Sequence, residues 1–137
     1  MTDWMIYGAN GYTGRLVAFE AVSRGMRPVL AGRNGDAIEP LAAELGLESR
    51  VFDLQDPGGT DAGLKGMKLV LHCAGPFSST SEPMLDGCLR GGVHYLDITG
   101  EIAVFEAAWK RSREAEVADI VVCPGVGFDV VPTDCLA

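Results

Sequence analysis

The run Tyr7-Gly8-Ala9-Asn10-Gly11-Tyr12-Thr13-Gly14 limits what this chain can fold into more than any other stretch. An apolar segment, Trp4 to Tyr7, precedes it, and a helix-forming segment, Leu16 to Val22, follows. Glycines at spacing three between a strand and a helix build a tight turn whose backbone can approach a pyrophosphate. The helix start supplies free N–H groups and the positive end of its dipole. Such a triplet alone is a weak signal, since glycines punctuate many loops. Here a second strand, Pro28 to Ala31, follows at the distance a βαβ unit requires. Dinucleotide binding is therefore the expected role, with a purely structural turn as the alternative.

Six apolar runs alternate with helical patterns: Trp4 to Tyr7, Pro28 to Ala31, Arg50 to Phe52, Leu69 to Cys73, His94 to Leu96 and Ile120 to Cys123. That alternation predicts an α/β fold, a Rossmann-type doubly wound parallel sheet of about six strands in three αβα layers. The second helix is expected to be capped by Asp36, with Glu39 completing a capping box, Pro40 in the first turn and Gly46 as its stop. A helix over Glu82 to Arg90 should bury Met84, Leu85, Cys88 and Leu89. The longest helix is expected from Glu101, with Ile102, Phe105, Trp109 and Ser112 on its apolar side. The segment from Asp56 to Gly66 has room for a short helix only. Val131 to Ala137 reads as a helix just beginning, which suggests that the natural chain continues.

With 137 residues the chain is expected to form one domain, 1–137. No apolar run nears the ~20 residues of a membrane span, and a strand close behind Met1 leaves no room for a signal peptide, so a cytoplasmic location is expected. Cys73, Cys88, Cys123 and Cys135 stand far apart without metal-ligand spacing, and core packing is the expected role of the first three. A net charge of −8 argues against nucleic acid or an anionic membrane as partner. Residues 1–33 nevertheless hold four arginines against two carboxylates, so the one basic segment surrounds the proposed phosphate site.

Open α/β sheets bind ligands beyond the carboxyl ends of their strands, where strand order reverses. On the fourth strand that end is Ala74-Gly75-Pro76-Phe77, small enough for close approach, with Pro76 and Phe77 as a wall for the ribose or nicotinamide. An NAD site normally places a carboxylate after strand two. This chain offers Arg33 and Asn34 instead, and a guanidinium fork suits a 2′-phosphate, so NADP(H) is the expected cofactor. Asp53 is placed either to accept from the adenine amino group or to cap the short helix after it. For proton transfer the weak candidates are Asp97, Thr99, Glu101 and Asp129, each of which could instead cap a helix. No Tyr-x-x-x-Lys pair is present.

Five segments together resemble the N-terminal domain of the saccharopine dehydrogenase-like family, which includes saccharopine reductases and trans-acting enoyl reductases. They are Gly8 to Gly14, Ala31-Gly32-Arg33-Asn34, Gly75-Pro76-Phe77, His94 to Glu101 and Gly127 to Asp134. The resemblance implies an NADP-binding Rossmann domain, followed in the family by a separate catalytic and dimerisation domain. It places Gly8, Asn10, Gly11, Tyr12, Thr13, Gly14, Arg33 and the Ala74–Phe77 turn at nucleotide-contact positions. The expected function is thus the NADPH-binding half of an oxidoreductase acting on a C=N, C=O or C=C bond of a small-molecule substrate. The alternatives are an NADP-sensing module without turnover and an epimerase-like enzyme holding NAD, the latter disfavoured by Arg33.

Overall fold

The computed structural model describes residues 3–128 and 130–137. Six parallel strands lie in the order β3-β2-β1-β4-β5-β6: β1 (Trp4–Tyr7), β2 (Val29–Gly32), β3 (Ser49–Val51), β4 (Leu69–His72), β5 (His94–Asp97) and β6 (Val122–Cys123). Between them run α1 (Tyr12–Ser23), α2 (Gly35–Leu45), α3 (Pro57–Leu64), α4 (Phe77–Gly91), α5 (Ile102–Lys110) and α6 (Ser112–Ala118), with α7 (Val131–Leu136) last. This is the expected doubly wound sheet, and its order reverses between β1 and β4. Met5 pairs with Val29 on one side and with Val70 on the other.

Alternation along the strands sorts the core into two layers. Met5, Tyr7, Val29, Val70 and Tyr95 join Leu64, Met84, Leu85, Cys88, Ala115 and Ile120 on the face carrying α3, α4 and α6. Ile6 and Leu30 join Ala18, Ile38, Leu41 and Ala42 on the face carrying α1 and α2. That second face is covered only in part. Leu69, Leu71, His94 and Leu96 are half-buried, while Val121 and Cys123 are exposed. Parallel sheets are ordinarily covered on both faces.

Several local expectations need correction. Asn34, not Asp36, caps α2: its side-chain oxygen accepts from the Asp36 N–H, so the helix begins two residues earlier than expected and Pro40 falls inside it. Gly46 does end it in the left-handed conformation, with Leu47 and Gly46 N–H groups returning to the carbonyls of Ala42 and Ala43. The helix expected from Glu101 is broken at Arg111, whose guanidinium reaches Asp86 on α4 and Glu114 on α6. It buries Val104 and Ala108, whereas Ile102 and Trp109 are 76% and 80% exposed. Helix α4 starts at Phe77, earlier than the Glu82 expected. Of the cysteines, Cys88 is buried, Cys73 half-buried and Cys123 exposed, so the expected core role fails for Cys123. No helix among the described residues is long and apolar enough to cross a membrane.

Candidate cofactor site

The crevice at the reversal point is made by two loops, Gly8–Gly11 after β1 and Ala74–Pro76 after β4. Gly8 has φ +79°, and a β-carbon there would lie 2.8 Å from the β-carbon of Ala74, so the two loops touch because Gly8 has no side chain. Gly14 answers a different need: a β-carbon on it would fall 2.2 Å from the Gly8 carbonyl oxygen, so its absence lets α1 pack on the end of β1. Gly11 is the odd one out. A β-carbon there would meet only the Gly8 oxygen, at 3.3 Å, leaving open space over the backbone. Open space above the second glycine is what an approaching pyrophosphate requires.

Gly11 also stands at the N-cap of α1, where no side chain accepts a hydrogen bond and no acidic residue occupies the first turn. The Arg15 N–H bonds the Gly11 carbonyl, which leaves the N–H groups of Tyr12, Thr13 and Gly14 to be satisfied from outside the helix. Asn10, Tyr12 and Thr13 are exposed beside them. Backbone donors and the positive end of the helix dipole thus face the crevice together, an arrangement suited to an anion.

Arg33 follows β2 and is exposed. The other arginines are engaged: Arg15, Arg24, Arg90, Arg111 and Arg113 with carboxylates, Arg27 with the Gly46 carbonyl, and Arg50 with Glu48 and the carbonyls of Gly63 and Lys65. Among the described residues the Arg33 guanidinium makes no hydrogen bond or ion pair. Its field reaches the Tyr7 hydroxyl, as does that of Asp53. Burial chiefly, with Asp53 adding to it, pushes that phenol up to about 12, and the hydroxyl donates to the Phe52 carbonyl. Asn34 commits its oxygen to α2. Asp53 caps no helix: one carboxylate oxygen accepts from the Gln55 N–H, while Asp56 takes the N-cap position of α3.

Across the crevice Ala74 and Phe77 are half-buried, Gly75 and Pro76 exposed, and the Gly75–Pro76 peptide is cis. Three of the candidates for proton transfer are occupied with structural bonds. Asp97 is fully buried and accepts from the Tyr95 hydroxyl (2.5 Å), the Thr99 N–H (3.0 Å) and the Gly125 N–H (2.9 Å). Thr99 accepts from the Glu101 N–H, and Glu101 accepts from the Phe77 N–H at the start of α4. Asp129 lies outside the described residues. Sequence reasoning missed Thr80, which bonds His72 and the Ala74 carbonyl, because a lone threonine within a helix carries no signal of its own. An apolar groove of about 790 Å³, lined by Phe105, Trp109, Ile120 and Val122 among others, lies at the β6 edge and not at the crevice.

A 3-2-1-4-5-6 parallel sheet with an uncapped glycine turn at its reversal point defines a dinucleotide-binding Rossmann domain. Residues 4–123 match the family of the saccharopine dehydrogenase NADP binding domain. The chain belongs to that family, the NADP-binding domain of saccharopine dehydrogenase-like oxidoreductases. It is 29% identical over 150 residues to a saccharopine dehydrogenase-like oxidoreductase of Bos taurus, covering 95% of this chain and 35% of that protein. It is 31% identical over 143 residues to a trans-acting enoyl reductase of Mycobacterium leprae, covering 96% and 34%. The chain thus spans about a third of the length of these curated relatives. In fold it is similar to the apo saccharopine dehydrogenase (L-Glu forming) of Saccharomyces cerevisiae, with TM-score 0.78 and 18% identity over 94% of this chain and 28% of that one.

Proposed function

We propose that this chain holds NADP(H) across the ends of β1, β2 and β4 as the cofactor half of an oxidoreductase. Bound reduced coenzyme would supply a hydride to a C=N, C=O or C=C bond of a small molecule held by a second domain. In this reading the pyrophosphate sits on the N–H groups of Tyr12, Thr13 and Gly14 over Gly11, next to Asn10. Arg33 grips the 2′-phosphate, with Asn34 and Asp53 beside the adenosine. The Ala74–Phe77 turn walls the nicotinamide half, Gly8 setting its distance.

The observation that carries the proposal is the unengaged Arg33 guanidinium in a chain whose other arginines are all bonded. A carboxylate at that place would repel the 2′-phosphate. Support for a second domain comes from the half-covered sheet face and from relatives about three times as long. The bonds already made by Asp97, Thr99 and Glu101 favour a proton donor from that second domain, so this chain alone should bind coenzyme without turnover. Calorimetric titration of the 137-residue chain with NADPH and NADH tests the reading. Binding of NADPH at least tenfold tighter supports it, and equal affinity or no binding of either refutes it.

A further inference from the structure

His72, the last residue of β4, is fully buried, and its Nδ1 has no hydrogen-bond partner. Rings surround it: Tyr7 with centroids 5.7 Å apart, Phe77 at 5.3 Å edge-on and Tyr95 at 6.2 Å. Native structures leave few buried polar atoms unpaired, because each has lost its bonds to water without replacement. A phenylalanine or leucine would fill the same volume without that cost. The other nitrogen, Nε2, therefore holds the reason for a histidine.

Nε2 lies 3.0 Å from the Thr80 hydroxyl oxygen. That hydroxyl has a single proton and two carbonyl neighbours, Ala74 O at 2.6 Å and Pro76 O at 3.1 Å. Carbonyls only accept, so the Thr80 proton goes to Ala74, the nearer of the two. Nε2 must then carry a proton and donate it to Thr80. This assigns the tautomer and explains the bare Nδ1, which is an acceptor with no donor within an aromatic box. It also gives the chain of bonds one direction, from His72 through Thr80 to the Ala74 carbonyl. The Pro76 carbonyl already accepts from the Ser79 and Thr80 N–H groups, whereas the Ala74 carbonyl has Thr80 as its donor.

Ala74 is the residue that abuts Gly8 across the crevice. We infer that His72 and Thr80 are positioning residues for the cofactor: their directed hydrogen-bond chain holds the Ala74 carbonyl, and with it the Ala74–Phe77 turn, at the spacing the nicotinamide half of NADP(H) needs. This deepens the proposed function and rests on it. The adenosine half lies on the β1–β3 side of the reversal point and does not depend on the chain of bonds.

The two halves can be separated with two probes, NADPH and 2′,5′-ADP, which carries the adenosine phosphates but no nicotinamide. Thr80→Val removes the hydroxyl at nearly constant shape, Thr80→Ser keeps it, and His72→Phe keeps the ring box. Thr80→Val and His72→Phe are expected to weaken NADPH binding about tenfold, for the loss of one directed bond. Affinity for 2′,5′-ADP should stay within about twofold, and Thr80→Ser should behave as wild type toward both. Unchanged NADPH binding in Thr80→Val, equal loss for both probes, or failure of Thr80→Ser to rescue would each overturn the inference. Wild type binding neither probe would sink the cofactor reading instead. Nitrogen NMR of the wild-type chain decides the geometry independently of any variant's folding. A proton on Nε2 of His72 is expected, and a proton on Nδ1 would overturn the assignment.

Discussion

Gly8 and Ala74 touch across the reversal point of the sheet, with room for no β-carbon between them: one built on Gly8 would come within 2.8 Å of the Ala74 nitrogen and β-carbon alike. The contact links the first loop of the fold to the loop after the fourth strand, so the crevice has a width set by backbone. Gly11, three residues on, lines the same crevice with no such constraint.

The two glycines should therefore separate stability from binding. Gly8→Ala combines a left-handed backbone with a steric overlap and is expected to destabilise the fold by about 2–4 kcal/mol. Gly11→Ala has an ordinary φ of −72° but puts a poorer N-cap on α1 and a tight contact on the Gly8 oxygen, so a smaller loss of about 0.5–1 kcal/mol is expected, while NADPH weakens at least tenfold as the space over the backbone is filled. Urea unfolding and calorimetry on both variants check this. A Gly11→Ala protein that binds normally would remove the pyrophosphate from that position.

Arg33→Ala should weaken NADPH by roughly ten- to hundredfold, the equivalent of ~1.5–3 kcal/mol for a charge-assisted bond. NADH should hardly notice the change. Parallel titrations decide the matter, and the same loss for both coenzymes would exclude Arg33 as the selector.

Burial pushes the His72 imidazole down from 6.5 to about 3, with the Thr80 bond opposing only in part. A base whose folded pKa is lowered takes its proton first in the unfolded chain. Its contribution is intact above about pH 6.5 and is lost progressively as pH falls toward 3. At about pH 5 the loss amounts to about 2 kcal/mol. Denaturant unfolding at about pH 7 and pH 5 should show His72→Phe losing that much less than wild type. Identical slopes would mean that the imidazole is solvated in the native state.

Asp97→Ala strips three donors, on Tyr95, Thr99 and Gly125, of a buried carboxylate. A loss of about 3–5 kcal/mol is expected. Because Gly125 follows β6, hydrogen exchange should rise along β6 and the loop after it, and the adenosine-side strands should change least. Uniform exchange across the sheet would mean that Asp97 does not tie β6 in place.

The sheet and its order were legible because hydrophobic runs and glycine turns are local signals, and the first strand was placed residue for residue. The apolar side of α5 was not. Ile102, Phe105 and Trp109 follow helical spacing, yet α5 packs on α4 and buries Val104 and Ala108 beside Leu85 and Tyr95, while Ile102 and Trp109 face outward and Phe105 is half-buried against Gly125. Asp97 and Glu101 looked equally free in the sequence, since their partners Gly125 and Phe77 stand 28 and 24 residues away. The turn from Gly8 to Gly14, proposed above to hold the pyrophosphate, stands out because one contiguous motif carries it, whereas His72 and Thr80 meet only through the geometry of a strand end and the helix beyond it. The α2 cap was mislocated by two residues because Asn34 and Asp36 are both good caps, and it is the Asn34 oxygen that accepts from the Asp36 N–H.

Helix α1 begins without a side-chain partner for its first amides, so a phosphate held there, as proposed, would complete the helix as a missing amino acid would. Coenzyme would then be a structural member of the domain: at a hundredfold excess over Kd it would add about 2.7 kcal/mol to the folded state. Resistance to proteolysis should accordingly follow the supply of coenzyme, so that a cell short of it would clear this protein sooner.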